Sequence, residues 1–278
     1  CNSNNNTISQ KIQLTMKALI HNYINLLSFS AFQNNADIQP MSAFKWDILF
    51  ETAKLHNTLR LVTHAIASGE YGNSIFLSSQ AAQEINSSEK LTDKDFIAYT
   101  LNLSNDNNYF ASYILNKRMR RIIYNEHHSI DTSVTSLELL ILITRNTTDI
   151  LNHGINILGI LQLGVFLRAK GHKVDYVKLE NWLHKLSLHD MAAYIGSILI
   201  YIFGLEENEI PFIGKSRKSS KYAIDRLMAN TERILIRRHI YPDRYEQDRR
   251  LPSRKEITSS LRYWKYIPLE TTSRFFTN

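Results

Sequence analysis

Two carboxylates held close together can grip a divalent cation and neutralise the charge that accumulates when a phosphoryl or nucleotidyl group is transferred. In this chain of 278 residues an Asp-x-Asp pair occurs once, as Asp93–Lys94–Asp95. It follows Thr92, a residue type suited to an N-cap, and acidic residues in a first helical turn complement the helix dipole without any metal. The pair is therefore expected to begin a helix. Gly214–Lys215–Ser216 has the ending of a phosphate-binding loop. The upstream glycine at the required spacing is absent and no strand precedes it, so a basic loop is expected instead.

Histidines are the next source of chemistry. His127 and His128 adjoin Glu126, but neighbouring residues on a helix point in different directions, and no further His or Cys lies at ligand spacing. No metal and no cofactor is expected. An Arg followed four to six residues later by a His is similar to the pairing used by some helical RNases. Arg121 with His127 and Arg233 with His239 have that spacing, although Ile122 and Ile234 stand where those RNases carry a polar residue. These four are the catalytic candidates. No Gly-x-Ser-x-Gly elbow supports a serine nucleophile.

The one cysteine, Cys1, excludes an internal disulfide framework. Followed by the polar run Asn2 to Thr7, it reads as the lipidated end of a surface lipoprotein, while Met16–Lys17 reads equally as a start. The expected location is cytoplasmic, with membrane anchoring through Cys1 as the alternative. The longest apolar run, Ile155 to Leu167, contains Asn156 and Gln162 and falls short of the roughly 18 residues a span requires. No transmembrane segment is expected.

Charge is unevenly placed. Of the net +7, residues 215–274 hold 16 Lys/Arg against 7 Asp/Glu, so the rest of the chain is slightly acidic. Lys215, Arg217, Lys218, Lys221, Arg237, Arg238, Arg249 and Arg250 are the candidates for binding nucleic acid or another anion. Tyr222, Tyr241, Tyr245, Tyr263, Trp264 and Tyr266 are interleaved with these cations. Such a mixture can stack bases and contact phosphates. Equally, aromatics at helical spacing dock a terminal helix on a core, and docking is the preferred reading.

These residues must be carried by helices. With 9 Gly and 5 Pro, the chain lacks the turn chemistry of a sheet, and no alternating strand pattern is present. The fold class expected is all-α, a multi-helix bundle with short loops and a basic, partly irregular C-terminal segment. Apolar spacing predicts helices over 12–27, 44–53 and 59–66, and a long polar helix from Thr92 through Phe110 to Ile122, or two helices if Asn105–Asp106–Asn107–Asn108, poor helix formers, break it. Four more are predicted between 137 and 203, bounded by Gly154, Gly171, Asp175 and Gly204, followed by one from Ser220 to about Ile236. A short amphipathic stretch is expected from Ser253 to Tyr266. Three parts follow: N-terminal helices over 1–132, a central bundle over 133–213, and a basic segment over 214–278 that docks on it.

Several of these stretches carry a family resemblance. Leu137–Ile143, Asn152-His153-Gly154-Ile155, Leu161-Gln162-Leu163-Gly164-Val165-Phe166-Leu167, Val174-Asp175 and Ile210-Pro211-Phe212 resemble the C-terminal helices of a Bacteroidetes family of uncharacterised nucleotidyltransferases. Trp46-Asp47, Ala53 and His56 resemble its leading helices, and Ser260-Leu261-Arg262-Tyr263 with Ile267-Pro268 its end. The resemblance implies a mixed α/β core with a metal-binding Asp-x-Asp between these parts. Only about two dozen residues, from Asn108 to Ser133, stand there, and they include Lys117–Arg118–Met119–Arg120–Arg121 and no Asp before Asp131. The expectation is a pseudoenzyme: a non-catalytic binding or accessory protein with a protein partner and no small-molecule substrate. A nucleic-acid-binding protein using residues 215–274 is the alternative.

Overall fold

The computed structural model describes residues 2–69, 75, 77, 79, 82, 83, 85, 109–214, 218–240 and 261–277. Side chains are described from Lys17 onward in the first helix, as far as Glu232 in the helix after Tyr222, and as far as Phe276 at the C-terminal end. Among these residues the chain is all-α, with ten helices and no strand. They are α1 (Asn2–Phe32), α2 (Ala43–Leu55), α3 (Leu59–Ser68), α4 (Tyr113–His127) and α5 (Val134–Asn152). After these come α6 (Ile157–Lys170), α7 (Tyr176–Lys185), α8 (His189–Phe203), α9 (Ala223–Ile240) and α10 (Pro268–Thr277). No helix among the described residues is long and apolar enough to cross a membrane. Two compact units result, Cys1–Ile97 with Thr231–Leu235, and Ala98–Asn230 with Ile236–Asn278.

In the first unit α1 packs against α3 and α2. The core takes Leu19, Tyr23, Leu26 and Leu27 from α1, Trp46, Leu49, Phe50 and Ala53 from α2, and Leu61, Val62 and Ala65 from α3. This is the three-and-four spacing of one apolar stripe per helix. Polar clamps fix the register. The Tyr23 hydroxyl is 2.7 Å from Thr58 Oγ1, and the Ser30 hydroxyl donates to the Leu61 carbonyl at 2.7 Å. Asn22 ties down the loop after α1, donating to the Gln39 carbonyl and accepting from the Gln39 amide, both at 2.8 Å. His56 Nε2 lies 2.8 Å from Thr231 Oγ1. Burial pushes the imidazole pKa down to about 4, because the charged ring would lose its water. Ser42 occupies the N-cap of α2 without a side-chain bond, and Gly69 ends α3 in an extended conformation.

The second unit is assembled around α8. Nine consecutive residues, Met191 to Leu199, are buried, because α5, α6, α7 and the 3-10 turns Pro211–Ile213 and Lys218–Tyr222 all pack on this helix. Gly196 permits the close approach of one turn: a Cβ there would stand 2.7 Å from the Ile213 side chain. Gly204, at φ +69°, caps α8 in the left-handed region. The α5–α6 crossing uses a second glycine. Asn146 Nδ2 donates to the Leu142 and Gly159 carbonyls, both at 3.0 Å, and a Cβ on Gly159 would lie 2.5 Å from Asn146 Oδ1. Asn156 and Asp175 cap α6 and α7 by accepting from the amides of Gly159 and Lys178, at 3.2 and 2.9 Å.

Two expected elements differ from those observed. The long helix expected through Phe110 begins only at Tyr113, after the N-cap Ser112. The segment before it is held open because Asn116 Oδ1 accepts from the amides of Tyr109 and Phe110, both at 3.0 Å, and its amide group donates back to Phe110 O. Side-chain bonding of this kind competes with the helical ladder. Its earlier part, with Asp93 and Asp95, lies outside the described residues. Of the amphipathic stretch expected from Ser253 to Tyr266, residues 253–260 lie outside the described residues; 262–266 are turns, and α10 follows them. Pro268 opens it, where a missing N–H costs nothing.

α10 is anchored by a buried ion pair. Glu270, 0% exposed, accepts from the amides of Ala111 and Ser112 at 2.8 and 2.9 Å and from Arg274 Nε at 2.8 Å. Arg274 also donates to Asn152 Oδ1. Tyr263 and Tyr266 are buried, with ring centroids 5.6 and 5.3 Å from that of Tyr194.

Candidate functional site

The second unit concentrates positive charge on α4. Leu115, Met119, Ile122 and Glu126 face inward at four- and three-residue spacing, which turns Lys117, Arg118, Arg120 and Arg121 toward solvent. Like charges three or four residues apart cost a few tenths of a kcal/mol each. No acid on this helix offsets them. Its one carboxylate, Glu126, is buried, accepts from the amide of Ser133 and faces Lys178 Nζ at 3.6 Å.

The last turn of α7 faces this cationic flank. Arg118 Nη1 donates to the Lys185 carbonyl at 2.9 Å, a cation placed on the negative end of a helix dipole. That bond pins the two helices around a groove of about 580 Å³ lined by Arg118, Arg121, Ile122, Asn125, His184 and Lys185. His184 is stacked on His189 with ring centroids 4.8 Å apart and lies 4.0 Å from Glu180 Oε1. Lys117, Arg121 and Lys185 make no side-chain hydrogen bond or ion pair among the described residues. Lys117, Arg121, Tyr124 and His128 recur every four, three and four residues and so form one stripe. Tyr124 is 63% exposed, and its ring stacks on that of His128 at 4.1 Å.

The expected site residues separate. Arg121 lines the groove, whereas His127 is the exposed last residue of the same helix. Six residues on a helix fall about 120° short of two whole turns, so the two do not face one another. Arg233, Arg237, Arg238 and His239 lie on α9, beyond its described side chains. Lys215, Arg217, Arg249 and Arg250, with Tyr241, Tyr245 and Cys1, lie outside the described residues. Lys218 is exposed, and Lys221 Nζ lies over the Tyr201 ring, 4.7 Å from its centroid. His184 and Lys185 escape sequence reasoning because residues some 64 positions from Arg121 carry no signal of proximity.

Two carboxylates at α4 serve the architecture, while Glu180, beside His184, is exposed. Glu270 and Glu126 are the two that are buried among the described residues, and both accept backbone N–H groups. No group of three or more His, Cys, Asp or Glu is gathered at a point among those residues. No family model, curated protein or solved structure matches the chain.

Proposed function

We propose that this chain is a helical accessory or binding protein, a relative of the nucleotidyltransferase family it resembles that works through its helical scaffold. The supporting observation is the engagement of the two buried carboxylates. Glu270 holds the start of α4 and Arg274, and Glu126 holds the loop before α5. A metal-gripping carboxylate must instead keep its lone pairs open to the cation and have a second carboxylate beside it. Both buried carboxylates are thus engaged in anchoring, and the exposed face of α4 is cationic.

Incubation of the full chain with Mg²⁺ and labelled nucleoside triphosphates tests this reading. The expected result is no transfer above the level of an Asp93→Ala, Asp95→Ala double variant. Metal-dependent transfer that the double variant abolishes would overturn it.

A further inference from the structure

We infer that the groove between α4 and α7 binds a single-stranded nucleic acid, with phosphates taken by Arg118, Arg121 and Lys185 and a base stacked on Tyr124. This gives the accessory reading a partner class and rests on that reading only for the existence of a partner. Three observations carry it. Lys117, Arg121 and Lys185 project their charges without carboxylate partners among the described residues. A helix that keeps adjacent like charges unrelieved is less stable by itself, and an anion laid between them reverses the sign of that term. Arg118 is already immobilised by the Lys185 carbonyl, so its remaining N–H donors reach the groove with little further loss of side-chain freedom.

Tyr124 distinguishes the form of the polyanion. It stands one turn beyond Arg121 on the same stripe, is exposed, and is steadied by His128 behind it. An aromatic platform bordering a cationic groove suits a strand with unpaired bases, since every base has a face to stack. A duplex hides those faces, and a lipid surface has none. Of the C-terminal aromatics among the described residues, Tyr263 and Tyr266 are buried against Tyr194 and offer no face to a base, whereas Tyr222 and Trp264 are exposed.

Fluorescence anisotropy with a labelled oligouridylate of about 12 nucleotides tests the inference on the full chain across a salt series. Arg121→Ala and Lys185→Ala are each expected to weaken binding several-fold and to flatten the log–log salt slope by about 0.7, one phosphate contact on a single strand. Tyr124→Ala should weaken binding roughly tenfold with the slope unchanged, and Tyr124→Phe should bind like the parent chain. Circular dichroism confirms that each variant folds. Absence of binding at low salt would overturn the proposal, as would binding that survives all three alanine substitutions. Equal groove-dependent binding to a duplex of the same length, or to anionic phosphatidylserine vesicles, would overturn it too. Metal-dependent transfer through Asp93 and Asp95 removes the accessory reading and leaves the groove untouched, so the two failures are separable.

Discussion

Replacing Glu270 with alanine removes the carboxylate that joins the two ends of the second unit's sequence. Three donors lose their acceptor: the amides of Ala111 and Ser112, and Nε of Arg274. Arg274 is itself buried, and breaking one partner out of a buried pair costs about 3–5 kcal/mol. Ala111 is exposed and its amide can turn to water, whereas the amide of the buried Ser112 adds about 1 kcal/mol or more. A loss of about 4–6 kcal/mol is expected, a large part of the 5–15 kcal/mol typical of a domain. Urea unfolding followed by far-ultraviolet circular dichroism measures it, with an unchanged m-value showing that the folded state keeps its compactness. Arg274→Met and the Glu270→Ala, Arg274→Met double variant complete the cycle. The double variant should be less destabilised than the sum of the singles, because neither change then strands a charge. A loss below about 1 kcal/mol for Glu270→Ala, or strict additivity, would refute the reasoning.

Two further outcomes follow from the packing of other buried polar groups. Gly159→Ala forces a methyl to within 2.5 Å of Asn146 Oδ1 and should cost about 2 kcal/mol, read as a lower midpoint in thermal unfolding; an unchanged midpoint means that the α5–α6 crossing has room to spare. His56 has a folded pKa lowered to about 4 from 6.5, so its neutral form is the one the fold prefers. The corresponding stability, at most about 3 kcal/mol, is fully present above pH 6.5 and is lost as the pH falls toward 4. A His56→Gln variant should show a flatter loss of stability over that range, and parallel pH curves for variant and parent would exclude His56 as the cause.

The sequence made α5 to α8 legible because each carries its own signals. Asp175 caps α7, Gly204 stops α8 in the left-handed region, and the apolar positions between them repeat at helical spacing. α4 was harder to delimit, since its start is set by Asn116 and by Glu270, and Glu270 lies 158 residues from Ser112. α10 is hard to read from the sequence for a related reason. It carries few apolar residues among its Thr and Ser, and its place depends on the Glu270 anchor. Of the groove, only Arg121 was singled out, as a possible partner of His127 on the same helix. Helical rotation turns that pair apart and brings His184 and Lys185 to Arg121 from another element. Spacing along one helix can predict a stripe, but a groove needs the crossing of two.

The burial of α8 on every side bears on how the chain is made. During synthesis residues 189–203 emerge before Pro211–Ile213 and Lys218–Tyr222, which cover part of the helix in the finished unit. Until those turns arrive, a strip of isoleucine, leucine and alanine faces water with nothing to shield it, the kind of surface that draws chains into aggregates. A chain cut short between Phe203 and Tyr222 would keep that strip uncovered. A stop codon in this interval should therefore yield insoluble material even though every residue of the groove has already been translated.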